Sequence, residues 1–236
     1  MNRTQFEIAP GVVLDARRAA FLKEHRVLAV ADLHFGYAWT HRARGQILPL
    51  SAPDQTLPRL LELLADYQPQ TLVLLGDIVH GVVPVPELRE GLQAVLAALR
   101  ERTEVVLVEG NHDRHLAELL GAPLPREYRV GPHLLLHGDL AEKPPAAAHL
   151  AAASAGGGLV IMGHEHPALT VGDRVAHRAR VPCFLSGEPL LVLPAFSDWA
   201  AGANARLGEY LSPLTRLAAP TRAVAILAGK LLPVAL

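Results

Sequence analysis

Residues that can bind metal ions or transfer protons recur between positions 32 and 166, each shortly after an apolar run. They are Asp32 and His34, Asp77, Asn111 and His112, His137, and His164 and His166. Carboxylate, imidazole and amide groups without a thiolate favour Mn²⁺, Fe or Zn²⁺ over Ca²⁺ or a structural cysteine site. A set of this size suits two ions that share a carboxylate, and Asp77, alone at its strand end, is the natural bridge.

The spacing within these motifs also favours a shared site. In DLH at 32–34 and GHEH at 163–166, two of the residues stand two positions apart, so in an extended chain their side chains point to the same side. A glycine precedes Asp77, Asn111 and His164, and we expect it to permit a sharp turn that presents the next side chain.

Five short runs rich in Val and Leu lead into these motifs and predict strands that are covered on both faces. The runs occupy 26–34, 71–77, 104–113, 133–139 and 159–166. Helical apolar spacing at 52–68 and 86–102 separates several of them, so the first half is predicted to be α/β. Because ligands collect beyond the carboxyl ends of strands in such sheets, we expect one site there.

The later sequence changes character. Segments 180–196 and 221–235 predict strands joined by turns and hence a second sheet made from late strands. Residues 144–163 carry no charge, but prolines and three consecutive glycines interrupt them, which indicates an Ala-rich helix or loop followed by a strand and no membrane span. No long polar linker divides the chain, so 1–236 is predicted to be a single domain.

Composition narrows the classes of partner. Half of the 236 residues are apolar and the formal net charge is −1, so we expect nucleic acid to bind only through a local patch. The first residues lack the apolar segment of an export signal, and Cys183 is the single cysteine, which together favour a cytoplasmic protein. Cys183 itself is expected to be a small buried apolar residue.

Several motifs also have ordinary structural explanations. Asn111 could cap a helix beginning in the following residues, and His137 could be a buried histidine with satisfied hydrogen bonds. Asp113 could orient His112 or complement the dipole of that helix.

Taken in order, DLH, GD, GNHD, LHGD and GHEH resemble the motifs of the calcineurin-like metallophosphoesterase superfamily. The resemblance implies an α/β fold, a four-layer αββα sandwich of two mixed β-sheets flanked by helices. It assigns one metal ion to Asp32, His34 and His166, a second to Asn111, His137 and His164, and the bridge between them to Asp77. It makes His112 a catalytic histidine, with Asp113 beside it.

A narrower resemblance extends through ADLHFGYAWTHRARG, LGDIVHG and LPAFSDWAAGAN. These segments are similar to the small prokaryotic ICC-like phosphoesterases, a branch that includes DNA-ligase-associated enzymes and resembles the nuclease subunit of SbcCD. This likeness implies a nuclease acting on DNA or RNA and linked to DNA repair.

The predicted function is hydrolysis of phosphodiesters by in-line attack of a hydroxide held between two divalent ions, Mn²⁺ first, with Fe, Zn²⁺ or Ni²⁺ as alternatives. His112 would protonate the leaving oxygen. Arg42, Arg44, His80 and the basic segment 173–180 are candidates for binding the phosphate. The alternatives are a phosphomonoesterase or pyrophosphatase acting on small nucleotides, and a non-catalytic protein-binding scaffold. Either a monomer or a homodimer fits the sequence.

Overall fold

The first of two β-sheets is built from the N-terminal part of the chain. The computed structural model describes residues 4–43, 45, 55–80, 86–140, 143–172, 178–200 and 202–236. The first sheet holds, in spatial order, β1 (Gln5–Ala9), β2 (Val12–Asp15), β3 (Ala19–Leu22), β4 (Val27–Ala31), β5 (Thr71–Leu75) and β6 (Glu104–Val108). Strands β1 to β4 are antiparallel neighbours, whereas β4, β5 and β6 run parallel, so the sheet is mixed.

The second sheet is also mixed. Its strands are β7 (Glu127–Val130), β8 (His133–Leu136), β9 (Val160–Met162), β10 (Pro167–Gly172), β11 (Arg178–Gly187), β12 (Leu190–Val192), β13 (Ala203–Asn204), β14 (Arg222–Leu227) and β15 (Lys230–Ala235). They lie in the order β13-β10-β11-β12-β9-β8-β7, and β14 pairs with both β11 and β15. Strands β8, β9 and β12 run parallel, which brings the ends of β8 and β9 to one edge.

Helices cover the outer faces of the sheets. They are α1 (Tyr37–Ala43), α2 (Thr56–Tyr67), α3 (Pro86–Arg100), α4 (Leu116–Leu120), α5 (Lys143–Ala155) and α6 (Pro213–Ala218), with a 3₁₀ turn at Ala205–Leu207. Helix α6 has a regular N-terminal cap, because the Ser212 hydroxyl accepts the N–H of Leu214 and Pro213 follows the cap. None of the helices in the described ranges is long and apolar enough to span a membrane.

Alternation of side chains along the strands produces the layers. In β5, Leu72 and Leu74 pack with α2 and α3, while Val73 and Leu75 face the second sheet. In β8, Leu135 lies in that same central cluster, whereas its neighbours on either side pack against α5. The result is the four-layer αββα sandwich with two mixed sheets.

Most predicted elements lie close to their expected positions. The helices expected at 52–68 and 86–102 are α2 and α3, and 144–163 contains α5 followed by β9. The second sheet does contain the late strands, but it begins earlier than expected, with β7. The apolar runs divide between the two sheets: the first three form β4, β5 and β6 of the first sheet, and the last two form β8 and β9 of the second. The leucines of β8 are buried on both faces, by α5 on one side and the first sheet on the other.

The single cysteine lies in the second sheet. Cys183 is fully buried in β11 among the residues that pack against α5 and α6, as expected for a small apolar residue. Burial raises the pKa of its thiol to about 12. Its thiol is thus protonated and shielded at neutral pH, which is the unreactive form.

Candidate metal centre

The polar motifs follow five strand ends that meet where the two sheets face each other. Asp32 and His34 follow β4, Asp77 follows β5, Asn111 and His112 follow β6, His137 follows β8, and His164 and His166 follow β9. Backbone hydrogen bonds join these loops: Asp32 N–H donates to the carbonyl of Gly76 at 3.2 Å, and Gly163 N–H to that of His137 at 3.1 Å. The convergence therefore uses both sheets.

The backbone of this region is held in an uncommon conformation. Five candidate ligands have positive φ angles in the left-handed region, which non-glycine residues seldom adopt. The values are 56° for Asp32, 46° for His34, 47° for Asp77, 69° for His164 and 44° for His166. Such residues persist where surrounding contacts impose them, and they cluster at functional sites.

Glycines leave room for neighbouring ligands. A Cβ atom at Gly163 would overlap Asp32 Oδ2, which lies at 2.5 Å from that position, and a Cβ at Gly110 would overlap the backbone and carboxylate of Asp77. At Gly76, whose φ is +70°, the added atom would meet the ring of His137. Gly163 and Gly110 are thus explained by close approach rather than by the sharp turn that the sequence suggested.

One group of ligand atoms forms a compact cluster. Ligand atoms of Asp32, His34, Asp77 and His166 all lie within 4.8 Å of one another. The Nε2 atom of His166 is 3.1 Å from Asp32 Oδ1 and 3.2 Å from Nε2 of His34. These four residues are the set that the family resemblance assigned to the first ion together with the bridge.

A second group of candidate ligands meets the first at Asp77. His137 Nε2 is 3.4 Å from Asp77 Oδ1, 3.1 Å from Asn111 Oδ1 and 3.2 Å from His164 Nδ1. The other ring nitrogen of His137 lies 3.1 Å from the carbonyl oxygen of Leu75, a contact that fixes the ring orientation. His137 is therefore both buried with a satisfied hydrogen bond and directed at the other candidate ligands.

The donor set fits divalent cations. Within the described part of the chain, the ion pairs of Asp32 and Asp77 are all with histidines, so no lysine or arginine there neutralises the two buried carboxylates. Imidazole nitrogens face each other at 3.2 Å in two places, which suits a shared cation better than mutual hydrogen bonding. Oxygen and nitrogen donors without sulfur match the ligand chemistry expected from the sequence.

Burial tunes the protonation of these groups. Loss of hydration lowers the pKa of His34 to about 3 and that of His164 to about 4, so both imidazoles are neutral at pH 7, the form that ligates metals. Burial also raises the pKa of Asp77, and the nearby Asp32 carboxylate adds to this rise. Burial acts on Asp32 in the same direction, but His166, His137 and His34 outweigh it and hold its pKa below the usual value.

His112, the predicted catalytic residue, is more exposed than any of the four histidines predicted to be ligands. Its side chain is 41% exposed, and its Nε2 lies 3.9 Å from Asp77 Oδ2. Its backbone N–H donates to Asp77 Oδ1 at 2.9 Å. A histidine that borders the cluster and faces solvent can reach a substrate that approaches the cluster.

Asp113 is buried and contacts backbone groups. Its Oδ1 accepts the N–H groups of Ile78 and Val79 at 2.9 and 3.2 Å, and its Oδ2 accepts that of Gly110 at 2.9 Å. Burial raises the pKa of Asp113 to about 7. These bonds tie the loop after β5 to the loop after β6, so the contacts of Asp113 are those of a positioning residue.

The alternative expectation that Asn111 caps a helix is wrong. Helix α4 begins at Leu116 with His115 at the capping position, and the amide oxygen of Asn111 instead approaches His137. Asp113 likewise lies before that helix, which removes its predicted role at the helix dipole.

The candidates for phosphate binding are placed in part. His80 Nδ1 lies 3.3 Å from His34 Nδ1, which puts it directly behind a candidate ligand. Arg42 belongs to α1, but its side chain lies outside the described residues, as do Arg44 and segment 173–177. Arg180, at the end of the predicted basic segment, is exposed and donates to the carbonyl of Gly202 at 2.9 Å.

Sequence reasoning missed the role of Glu165. This residue separates the two histidines of GHEH, is only 3% exposed, and accepts the N–H groups of Ser212 and Leu211 at 2.7 and 2.9 Å. It therefore fastens the loop that carries His164 and His166 to the start of α6. Because His164 and His166 have positive φ angles, this segment is not the extended one that the sequence predicted, and alternation along it gave no signal for Glu165.

The chain is similar to known proteins in sequence and in fold. Residues 25–143 match the family model described as calcineurin-like phosphoesterase. The chain is similar in structure to the nuclease MPE of Pseudomonas putida, with 25% identity, a TM-score of 0.68, and coverage of 99% of this chain and 100% of that one. YfcE, a phosphoesterase from E. coli, matches at 15% identity and a TM-score of 0.41 over 89% and 98% of the two chains. No curated protein matches the sequence significantly.

Proposed function

Since the chain belongs to the calcineurin-like phosphoesterase family, we propose that it is a metal-dependent phosphodiesterase that uses two divalent ions and cleaves nucleic acid. The observation that carries this proposal is the pair of ligand groups that meet at Asp77, with the exposed His112 beside that carboxylate. A single structural ion would need neither two groups nor an accessible histidine.

The contacts support the ligand roles implied by the family resemblance. Asp32, His34 and His166 would hold one ion, and Asn111, His137 and His164 the other, while Asp77 would serve both. When bound, two such ions activate water and neutralise charge on the phosphoryl oxygens. The protein contributes neutral imidazoles, two carboxylates kept from water, and loops fixed by Glu165 and Asp113.

We assign the proton transfer to His112. Its accessible ring can hydrogen bond to a phosphoester whose phosphate lies over the cluster, and it donates a proton to the leaving oxygen as the ester bond breaks. Asp113 acts indirectly, by holding the loops that carry Asp77 and His112. His80 lies next to both His34 and His112, so it would support the first as a ligand and border a substrate that contacts the second.

Nucleic acid is the proposed substrate class because the similar protein from Pseudomonas putida, matched over its whole length, is a nuclease. Mn²⁺ is the proposed metal because mixed nitrogen and oxygen ligation suits it. A small nucleotide or phosphomonoester is the second candidate, since a net charge of −1 lacks the broad basic surface of a protein that binds duplexes. A role in DNA repair would follow only from activity on DNA.

The test is an assay of chelator-treated protein reconstituted separately with Mn²⁺, Fe²⁺, Ni²⁺, Co²⁺ and Zn²⁺. Each form is given bis-p-nitrophenyl phosphate, p-nitrophenyl phosphate, single-stranded DNA, duplex DNA and RNA. We expect the protein to hydrolyse the diester and nucleic acid, and we expect chelator to abolish this activity. The rate on the monoester should not exceed the rate on the diester. Hydrolysis of the monoester alone would favour the second candidate, and inactivity with every metal and substrate would contradict both.

A further inference from the structure

A row of four aromatic rings lies along one side of the candidate metal centre. It consists of Trp199, Tyr37, His80 and His112 and is called the aromatic row below. The successive ring centroids are 5.7, 4.4 and 5.5 Å apart, and the first and last pairs are close to parallel, with interplanar angles of 10° and 19°. His34 stands edge-on to the row, with its ring 5.2 Å from His80 and 5.7 Å from His112.

The backbone attaches the row to the metal-binding motif. Tyr37 opens α1, and its N–H donates to the carbonyl of His34 at 3.1 Å. On the other side, the N–H of Ser197 donates to the carbonyl of Asp32 at 3.1 Å, and the Ser197 hydroxyl oxygen accepts the N–H of Trp199 at 3.2 Å. Both aromatic side chains at the far end of the row are thus held at a fixed distance from the candidate ligands.

The rings of the row are placed at the surface rather than in the core. Phe184 and Phe196 are at most 1% exposed, whereas Trp199, Tyr37 and His80 are partly exposed. The ring of His41, also in α1, packs against two rings of the row, with centroids 4.2 Å from Tyr37 and 5.2 Å from His80. Phe, Trp and Tyr make up only 5% of this chain, yet two of them expose part of their apolar surface to solvent beside the centre.

We propose that the aromatic row stacks the unpaired nucleobase next to the scissile phosphodiester, so that the preferred substrate is single-stranded or locally unpaired nucleic acid. This inference rests on the proposed function and adds the substrate class to it. Partly exposed rings are the surface on which bases of single strands stack, and this stacking tolerates any base because every base has an aromatic face. In a duplex the faces of each base are already covered by its neighbours, so the row has nothing to contact.

The charge of the protein also favours a single-stranded substrate. Arg18 and Arg59, which lie behind residues 196–198, are both paired with Asp198, and the net charge is −1. Phosphate contacts alone would then give modest affinity, which stacking supplements without requiring a basic surface. Stacking does not read the 2′-hydroxyl, so DNA and RNA single strands share the recognised chemistry, and an experiment must compare them.

Kinetics on base-bearing and abasic strands test the inference. The metal-loaded full chain is compared with Trp199→Leu, which keeps apolar bulk without a ring, and Trp199→Phe, which keeps a ring. On single-stranded DNA and RNA oligonucleotides we expect KM to rise by about tenfold for Trp199→Leu and by less than about threefold for Trp199→Phe. On an abasic strand of equal length, both variants should match the parent, and a duplex should be cleaved about tenfold less efficiently than its single strand.

Fluorescence gives a reading that does not depend on turnover. In a Trp39→Phe background, Trp199 is the single tryptophan of the sequence, and a single-stranded oligonucleotide should quench it when chelator is present to prevent hydrolysis. Tyr37→Leu should weaken that quenching titration, which provides a second variant if Trp199→Leu fails to fold. Absence of quenching, or equal KM changes on abasic and base-bearing strands, would overturn the stacking inference. Loss of diester hydrolysis in the parent protein would instead overturn the proposed function.

Discussion

The backbone N–H of His112 donates a hydrogen bond of 2.9 Å to Oδ1 of Asp77, so the predicted catalytic histidine supports the predicted bridging carboxylate without using its side chain. Replacement of the imidazole leaves this bond in place. We therefore expect His112→Ala to retain two metal ions per chain while kcat on a diester falls by about 10²–10⁴-fold, the usual contribution of a general acid. Metal analysis by mass spectrometry and steady-state kinetics on the same preparation measure the two quantities.

His115→Ala is the matched control, because His115 is exposed and its contact is with Glu118 outside the centre. It should keep both metal content and kcat. If His112→Ala instead lost a metal ion in proportion to its activity, His112 would be a ligand and its assignment as the proton donor would be wrong.

Asp77 belongs to the first ligand group, and its Oδ1 lies 3.4 Å from Nε2 of His137 in the second. Asp77→Asn keeps the shape of the side chain and removes its charge, so the cations lose an anionic ligand while the loop keeps its geometry. We expect at least one metal position to be lost, with affinity for the remaining ion reduced about tenfold or more. A metal titration monitored by calorimetry gives both the stoichiometry and the affinity. Two ions bound with unchanged affinity would contradict the bridging role.

Gly163 precedes His164 and packs against Asp32. Gly163→Ala places a methyl group where Asp32 Oδ2 and the Ala31 side chain lie, and overpacking of this kind costs about 1–3 kcal/mol. We expect a lower urea midpoint in chelator and weaker metal binding, because Asp32 must move. Gly156→Ala is the control: the nearest atom to its added Cβ is at 3.5 Å, an ordinary contact, so stability should change little. Equal effects of the two substitutions would show that Gly163 is not kept for room beside Asp32.

The fold could be predicted from the sequence where strands are buried on both faces. Strands β4, β5 and β9 are buried along their whole length, which gave the continuous apolar runs that were interpreted as strands. Strands β2 and β3 are almost as fully buried, but the two arginines of the turn Ala16–Arg18 and Asp15 interrupt the apolar pattern of 12–22, so its local pattern carried little signal. Their identity depends on antiparallel pairing with each other and with β4, which single-sequence periodicity does not contain.

The candidate site was predictable in its residue types but not in its geometry. The order of DLH, GD, GNHD, LHGD and GHEH was enough to select the side chains that meet. The collision between a Cβ at Gly163 and Asp32 involves residues 131 positions apart, and the pairing of Tyr37 with Trp199 joins residues 162 apart. Contacts over such separations follow from how the two sheets pack, and local spacing therefore could not predict them.

The hydrogen bonds of Asp15 predict a dependence of stability on pH outside the metal centre. Asp15 is 3% exposed, and its carboxylate accepts bonds from the Arg17 guanidinium at 2.9 and 3.0 Å and from the Tyr67 hydroxyl at 2.8 Å. Burial alone would raise the pKa of Asp15, but the bonds from Arg17 and Tyr67 outweigh it and hold the pKa below the usual value.

A lowered pKa in the folded state means that the unfolded chain takes up the proton first as the pH falls. The stabilisation by Asp15 is therefore complete well above pH of about 4, the ordinary value for aspartate, and is lost as the pH falls through the lower pKa of the folded state. We expect Asp15→Asn to reduce the free energy of unfolding by about 2 kcal/mol at pH 7. The difference from the parent should narrow below pH of about 4, as measured by urea denaturation in chelator.

Asp66→Asn, which removes an exposed partner of the same arginine, is the control and should reduce the free energy of unfolding by less than about 1 kcal/mol. A difference for Asp15→Asn that stays constant from neutral to strongly acidic pH would show that the ionised carboxylate is not what stabilises the fold at this position.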